Sequence, residues 1–236
     1  YAEASGVKTF NVIFKGAGAD KTVIDWWECS SDDFMALTLQ TAWPKDLENF
    51  MITFEGIKFQ NQRYRSKKDQ AETYGGGGNG WRGMINLGQN PGHAEYGTVG
   101  LTYQDVVFQT LDAVFDMGPG RWRLGTLEIS FTRCRITDLG FIFPKKISED
   151  GYQTYDVYGG VVNLVNYTKA ILSFKDSYIV NNVAGYGGVV AAWQTTQESQ
   201  AKILFENCIV HENMAAHAGG VVHLDVWEGS STTTFT

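Results

Sequence analysis

The sequence predicts an all-β fold: a single-stranded parallel β-helix of about six to seven coils with long loop insertions. The main observation is a repeat, since residues 172–190 (LSFKDSYIVNNVAGYGGVV) resemble residues 203–222 (ILFENCIVHENMAAHAGGVV). Repeats of about 20 to 45 residues with short apolar runs are typical of solenoids, in which each copy stacks on the last. The chain also has 27 glycines and only 4 prolines. This balance suits tight corners between strands that exclude proline.

Weaker copies of the same pattern occur earlier in the chain. Each has an aromatic residue followed at plus three and plus five by small or apolar residues. The aromatic positions are Phe54, Tyr103, Phe131, Phe174 and Phe205, with Phe235 as the next copy. A second anchor recurs at Gly83–Leu87, Gly160–Leu164, Gly188–Val190 and Gly220–Val222. We expect equivalent positions to stack at the ~4.8 Å spacing of a sheet, so the aromatic residues should form an interior ladder.

The repeat also predicts where the chain bends. Leu172 and Phe174 alternate inward, whereas Ser177 and Ile179 alternate in the opposite phase, so a bend is expected near Asp176.

Two further corners complete the coil. Asn182 is predicted to mark the second corner and the Gly187-Gly188 pair the third. Asn182 and Asn213 should begin an asparagine ladder. The result is three short strands and three corners in each coil.

The register gives a prediction for the cysteines. Cys134 and Cys208 occupy the same coil position, with Ser177 between them. They should lie two strands apart, roughly 9–10 Å, which exceeds the ~7 Å limit between the Cα atoms of a disulfide. Cys29 belongs to another part of the coil. We therefore predict three free thiols.

Composition narrows the class of protein. Hydrophobic residues make up 43% of the 236 residues, which is typical of a folded chain. No apolar run reaches the ~18 residues of a membrane helix. The net charge of −7 argues against a nucleic-acid partner. The one basic cluster (Arg63, Arg65, Lys67 and Lys68) and the charged stretch Lys145–Asp150 are interpreted as solvated loops.

Few residues suggest chemistry. Asp32-Asp33 would suit a carboxylate pair or a calcium site, although a turn before a strand at Phe34–Leu39 is the favoured interpretation. Arg133 and Arg135 should point outward and meet Asp105 or Asp176 on neighbouring coils. We favour salt bridging over catalysis there.

Other patterns are explained by structure alone. His211, His217 and His223 are expected at a strand end, a corner and the next strand, so they should not converge on zinc. The glycine-rich stretch at Gly75–Gly78, Asn79 and Gly80 lacks the Lys-Ser/Thr of a phosphate loop and is expected to be a flexible insertion.

Tryptophan is frequent, and most of the seven lie outside the repeat's core positions: Trp26, Trp27, Trp43, Trp81, Trp122, Trp193 and Trp227. Exposed aromatic rings can stack on sugars, but we favour their covering loops and corners. No catalytic, cofactor-binding or metal residue is assigned.

Two stretches resemble known families. Val12–Asp25 (VIFKGAGADKTVID) and Ile52–Asn61 (ITFEGIKFQN) resemble the first coils of pectin-lyase-like β-helices. Ile179–Asn182 and Val210–Asn213, each followed by Gly-Gly-Val-Val, resemble the repeats of chlamydial polymorphic outer-membrane proteins. This resemblance implies a right-handed β-helix.

The same resemblance implies surface carboxylates and an arginine in the enzymes of the pectin-lyase-like class. Their motifs are missing here: Asn90–His93 is not the Gly-His-Gly of a polygalacturonase. Gly140–Phe143 only faintly echoes an esterase motif and lacks its aspartate.

We therefore expect one β-helix domain over residues 1–236, as a segment of a longer protein, because Ser230–Thr236 has the pattern of a new strand. The favoured function is a non-enzymatic extracellular or cell-surface module for adhesion or structural support. The sequon at Asn166–Thr168 agrees with secretion.

The expected partners are a carbohydrate or a cell-surface protein, and a neighbouring domain or subunit at the open C-terminal coil. Specific contacts would lie on the insertions Gln62–Glu95 and Phe143–Tyr158. The alternatives are a polysaccharide-active lyase, hydrolase or esterase, and a subunit of a larger extracellular filament.

Overall fold

A computed structural model describes residues 8–25, 37–38, 48–61, 83–86, 97–116, 125–140, 159–165, 169–194, 199–226 and 230–236. These residues contain β-strands, bends and turns and no helix. The strands pair in parallel in stacked sheets, an arrangement consistent with a parallel β-solenoid.

Sheet 1 is built from the longest strands, because each copy of the repeat supplies one run with alternating inward and outward side chains. Its strands, in spatial order, are β1 (Thr9–Lys15), β4 (Asn49–Glu55), β7 (Thr98–Gln104), β10 (Thr126–Thr132), β13 (Lys169–Lys175), β17 (Gln200–Glu206) and β21 (Ser230–Phe235).

Each strand of sheet 1 except β21 leads through a connecting segment into a strand of sheet 2. Its strands are β2 (Val23–Asp25), β5 (Lys58–Gln60), β8 (Val107–Gln109), β11 (Arg135–Thr137), β14 (Tyr178–Val180) and β18 (Ile209–His211). The middle residue is buried in β5, β8, β11 and β14.

Sheet 3 completes each pass. Its strands are β3 (Leu37–Thr38), β6 (Gly83–Asn86), β9 (Ala113–Asp116), β12 (Val162–Val165), β16 (Val190–Gln194) and β20 (Val222–Val226). One pass through the three sheets is called a coil below, numbered from the N-terminus. The described strands make six passes plus β21, which agrees with the expected count.

Coils 5 and 6 differ from the prediction of three strands per coil. An additional two-stranded sheet joins β15 (Val183–Tyr186) and β19 (Met214–Ala218) between sheets 2 and 3. The short apolar segments after Asn182 and Asn213 are long enough to pair with each other. The sequence analysis predicted only a corner there and no strand.

The predicted aromatic ladder is confirmed. Stacked rings run from Phe54 through Tyr103, Phe131, Phe174 and Phe205 to Phe235, with centroid separations of 4.7–5.4 Å. Phe14 adds a rung that the repeat pattern missed, 5.0 Å from Phe54. It was missed because Gly16–Thr22 lengthens the bend before β2.

The second anchor is also confirmed. Ile85 pairs with Phe115, Phe115 with Val162, Val162 with Val190 and Val190 with Val222, as the alignment of the glycine motifs requires.

The glycine corner is confirmed as well, with Gly159, Gly187 and Gly219 at φ values of 62°, 61° and 69°. A Cβ at these positions would be strained whatever the free space, so glycine is required there.

The asparagine ladder is present but its corner differs slightly. Asn182 is fully buried; its Oδ1 accepts the Leu139 N–H at 3.0 Å, and its Nδ2 donates to Asn213 Oδ1 at 2.8 Å. The residue with positive φ is Asn181, at 57°. The chain therefore turns at Asn181, and Asn182 follows with its amide directed inward.

Candidate functional site

A ladder of polar side chains lies at the first corner, between sheets 1 and 2. Asp105, Arg133, Asp176 and Asn207 each follow a strand of sheet 1 and adopt positive φ values of 55°, 51°, 50° and 51°. This geometry confirms the bend predicted near Asp176. All four side chains are exposed, because the residue after each one returns toward the interior. The corner therefore presents one polar group per coil along coils 3 to 6.

This ladder forms one wall of a surface groove of about 500 Å³. The outward residues of sheet 2 form the other wall, and two residues that follow the corner form the floor. The lining residues are Asp105, Val107, Arg133, Cys134, Arg135, Asp176, Ser177, Tyr178, Asn207 and Ile209.

The ion pair of the groove joins Arg133 and Asp105. Arg133 Nε donates to Asp105 Oδ1 and Nη2 donates to Oδ2, each at 2.7 Å. The hydrogen bond from Arg133 lowers the pKa of the Asp105 carboxyl and raises that of the guanidinium. The salt bridging predicted for Arg133 is thus confirmed, and Asp105 stays ionised at neutral pH.

Asp176 is held by the next coil. Asn207 Nδ2 donates to its Oδ1 at 2.6 Å. The negative charge of Asp176 also raises the pKa of Arg133, although no direct ion pair joins the two side chains. Asp176 therefore borders the Arg133–Asp105 pair without being part of it.

Arg135 has a different environment. It is exposed, as predicted, and its guanidinium carbon lies 5.6 Å from the centroid of the Tyr178 ring. The same ring lies nearly perpendicular to the ring of His211, with 5.7 Å between centroids. Arg135, Tyr178 and Ile209 occupy equivalent positions on successive strands, and Ile209 is 58% exposed.

The floor of the groove consists of Cys134 and Ser177, and neither side chain is placed to react. Ser177 Oγ accepts the N–H of Cys134 at 3.1 Å and donates to the carbonyl of Lys175 at 2.7 Å. Burial raises the pKa of the Cys134 thiol to about 12. Both Cys134 and Cys208 are free thiols, as predicted, whereas Cys29 lies outside the described residues. A thiol with such a pKa is not a nucleophile at neutral pH.

The three described histidines occupy two places. His211 ends β18 and His223 lies in β20, as predicted, but His217 lies in β19 and not at a corner. The rings of His217 and His223 each lie 4.9 Å from that of Tyr186. Trp193 packs against both Tyr186 and His223, at 5.9 and 5.7 Å.

Neither histidine site has the ligands of a metal centre within the described ranges. No group of three or more His, Cys, Asp or Glu side chains converges there. The described part of the chain also contains no helix with the length and apolar character needed to cross a bilayer.

Several residues singled out from the sequence fall outside the described ranges. They are Asp32-Asp33, the Arg63–Lys68 basic cluster, the Gly75–Gly80 stretch, Asn90–His93, Lys145–Asp150, the sequon at Asn166–Thr168, all tryptophans except Trp193, and both insertions except β6.

The sequence analysis missed four of the ten residues that line the groove. Val107, Tyr178, Ile209 and Asn207 were not singled out, yet their offsets from the ladder aromatics were available. The corner residue always follows the aromatic by two positions and the outward residue of sheet 2 by four. Only the fold makes these two offsets the walls of one groove.

No protein-family model, curated protein or solved structure matches this chain.

Proposed function

We propose that this chain is a right-handed, single-stranded parallel β-helix that serves as a rigid extracellular or cell-surface module for adhesion or structural support. Parallel strands joined by crossovers in one sheet are right-handed in about 98% of cases, which supports the handedness. The groove between sheets 1 and 2 is the surface on which this module would bind a partner.

The observation that carries the proposal is the Arg133–Asp105 pair. An enzyme acting on acidic polysaccharide needs a carboxylate or arginine free to meet substrate or exchange protons. Here Arg133 donates one hydrogen bond to each carboxylate oxygen of Asp105, and this lowers the pKa of Asp105. A carboxylate held ionised in this way is a poor general acid. The pair is better suited to fixing the shape of the groove.

The interior supports a rigid scaffold. Stacked aromatic rings and the Asn182–Asn213 hydrogen bonds connect successive coils. Aromatic pairs contribute about 0.5–1.5 kcal/mol beyond their buried area. Bending the stack would separate these contacts, so the module should hold its binding surface in a fixed geometry.

The test has two parts. The purified chain is assayed for release of reducing ends, unsaturated products or ester groups from acidic polysaccharides. Beads coated with the chain are assayed for retention on cell surfaces against beads coated with the unfolded chain. We expect no turnover and specific retention. Turnover that is lost in both Asp105→Ala and Arg133→Ala would show the proposal to be wrong.

A polysaccharide-active enzyme is the second candidate, and the cluster around Tyr186 is the observation in its favour. The imidazole rings of His217 and His223 both pack against Tyr186, and His223 also packs against Trp193. Turnover that is lost in His217→Gln and His223→Gln, but kept in Asp105→Ala, would assign the chemistry to that cluster.

A further inference from the structure

Arg135 is the cation of the groove that no described carboxylate neutralises. The guanidinium of Arg133 is engaged by Asp105, whereas that of Arg135 lies over the face of Tyr178. Stacking on an aromatic ring orients a guanidinium and leaves its N–H groups available for hydrogen bonds in the plane of the group. An oriented, exposed fork matches the two oxygens of a carboxylate.

Apolar side chains flank this cation along the axis of the stack. Val107 lies one strand before Arg135, and Tyr178 and Ile209 lie one and two strands after it. Ile209 is 58% exposed. A ligand that fits this row therefore carries a carboxylate with apolar groups beside it.

An extended peptide satisfies these requirements better than a sugar. Sugar rings stack on open aromatic faces, but Arg135 lies over the face of Tyr178, and the His211 ring packs nearly perpendicular to the same ring. The remaining apolar contact is aliphatic, from Val107 and Ile209. Aliphatic surface suits side chains such as leucine or valine.

The dimensions agree. Val107 and Ile209 are three strands apart, which is about 14 Å at the spacing of a sheet. An extended peptide rises about 3.3 Å per residue, so four to five residues span this distance. The groove is thus long enough for one acidic residue and its neighbours.

We propose that the groove binds a short extended peptide of a partner protein, with an aspartate or glutamate carboxylate on Arg135 and an apolar side chain against Ile209. This assignment rests on the proposed binding function and names its ligand. Asp105 and Asp176 line the same groove as Arg135 and would repel a second acidic residue, so the preferred peptide carries a single acid between apolar residues.

The experiment titrates the ¹⁵N-labelled chain with capped pentapeptides Ser-X-Glu-Z-Ser, where X and Z are Leu, Ile, Val or Phe. Matched peptides carry Gln in place of Glu, and an oligogalacturonate is titrated separately. We expect the Glu peptides to shift the amide signals of Tyr178 and Ile209 at up to millimolar concentration. The Gln peptides should bind about tenfold or more weakly.

Variants localise the effect. Arg135→Gln should weaken the Glu peptides about tenfold or more. Arg135→Lys should fall between the two, because lysine keeps the charge but lacks the fork. Ile209→Ser should weaken binding by a few-fold and leave the Glu-over-Gln preference intact. Lys202→Gln removes an exposed cation on β17 and should change nothing. Unchanged signals in sheet 3 check that each variant is folded.

Three results would overturn the assignment: no shift at Tyr178 or Ile209, equal binding of Glu and Gln peptides, or undiminished binding by Arg135→Gln. Shifts caused by the oligogalacturonate alone would also overturn it and would assign the groove to an acidic polysaccharide. If the beads are still retained specifically on cell surfaces alongside any of these results, the proposed adhesion function is kept. Only the assignment of a peptide to the groove is then rejected.

Discussion

Arg133 and Asp105 lie on successive coils and share two hydrogen bonds of 2.7 Å across the first corner. Their side chains are 50% and 47% exposed, so solvent screens the pair. The pair holds the guanidinium of Arg133 on Asp105, whereas the guanidinium of Arg135 lies over Tyr178. The two arginines of the groove therefore have different contacts. It therefore shapes the groove more than it stabilises the fold.

The pair predicts a small dependence of stability on acid. Because the folded pKa of Asp105 is lowered from its ordinary 3.8, its contribution is present above that value and lost as pH falls through the folded pKa. Asp105→Asn should therefore lose less stability than the wild type as pH falls below about 4. Thermal unfolding over this range measures the difference. Equal acid sensitivity of the two proteins would contradict it.

The aromatic ladder predicts a steep cost at its centre. Phe131 is fully buried and stacks 4.7 Å from Phe174. Phe131→Ala should lower the free energy of unfolding by about 3–5 kcal/mol, through lost transfer energy and the cavity left behind. Phe10→Ala is the control, since Phe10 is 49% exposed and should cost far less. Urea unfolding of both variants checks the ranking.

The asparagine ladder predicts a polar penalty in the core. Asn182→Ala removes the acceptor for the buried Leu139 N–H and the donor to Asn213. A stranded buried N–H costs about 1–3 kcal/mol, so the loss should fall in or above this range. Asn213→Ala should cost less, because Asn213 is only partly buried. A neutral Asn182→Ala variant would show that another group replaces the amide.

The two described thiols should react at different rates. Cys134 is 3% exposed with its pKa raised to about 12, whereas Cys208 is partly exposed. In a Cys29→Ser background, iodoacetamide at neutral pH should label Cys208 and spare Cys134 until denaturant is added. Mass spectrometry of the labelled peptides distinguishes the sites. Labelling of Cys134 at the rate of Cys208 would contradict the buried position.

The glycine corner predicts a backbone clash. A Cβ on Gly188 would meet the Gly220 carbonyl oxygen in the next coil and approach Met214 N at 3.0 Å. Gly188→Ala should therefore destabilise the chain by about 3 kcal/mol, because backbone cannot move aside without separating coils. Gly100→Ala is the matched control, since its Cβ would meet the flexible end of Met51. Comparable losses in both variants would show that the coils accommodate the added atom.

The sequence predicted the core well because interior positions obey a strict rule. Stacked coils place equivalent residues one above another, so Phe131, Phe174 and Phe205 recur at matching offsets. Phe14 was not recognised as a member of the ladder. The longer bend at Gly16–Thr22 breaks the spacing of three and five positions expected after the aromatic ring. The fourth strand in coils 5 and 6 was not predicted. It forms only because two successive coils each have a short apolar segment at the same position, so that the two segments can pair.

The candidate site was predictable only in part. The sequence placed Arg133 and Arg135 outward and named Asp105 and Asp176 as partners, since alternation fixes which side of a strand faces out. It did not tell which arginine takes which partner. That choice depends on neighbouring coils: Asp105 receives both bonds from Arg133, and Tyr178 lies beneath Arg135.

The sequence by itself determined the repeat, its register and the identity of the interior ladders, because these follow from local alternation and equal spacing along the chain. The tertiary structure decided the ion pairing, the stacking of Arg135 on Tyr178 and the groove itself. Those features join residues about 28 to 43 positions apart, and side-chain contacts between coils are set by stacking and not by local sequence.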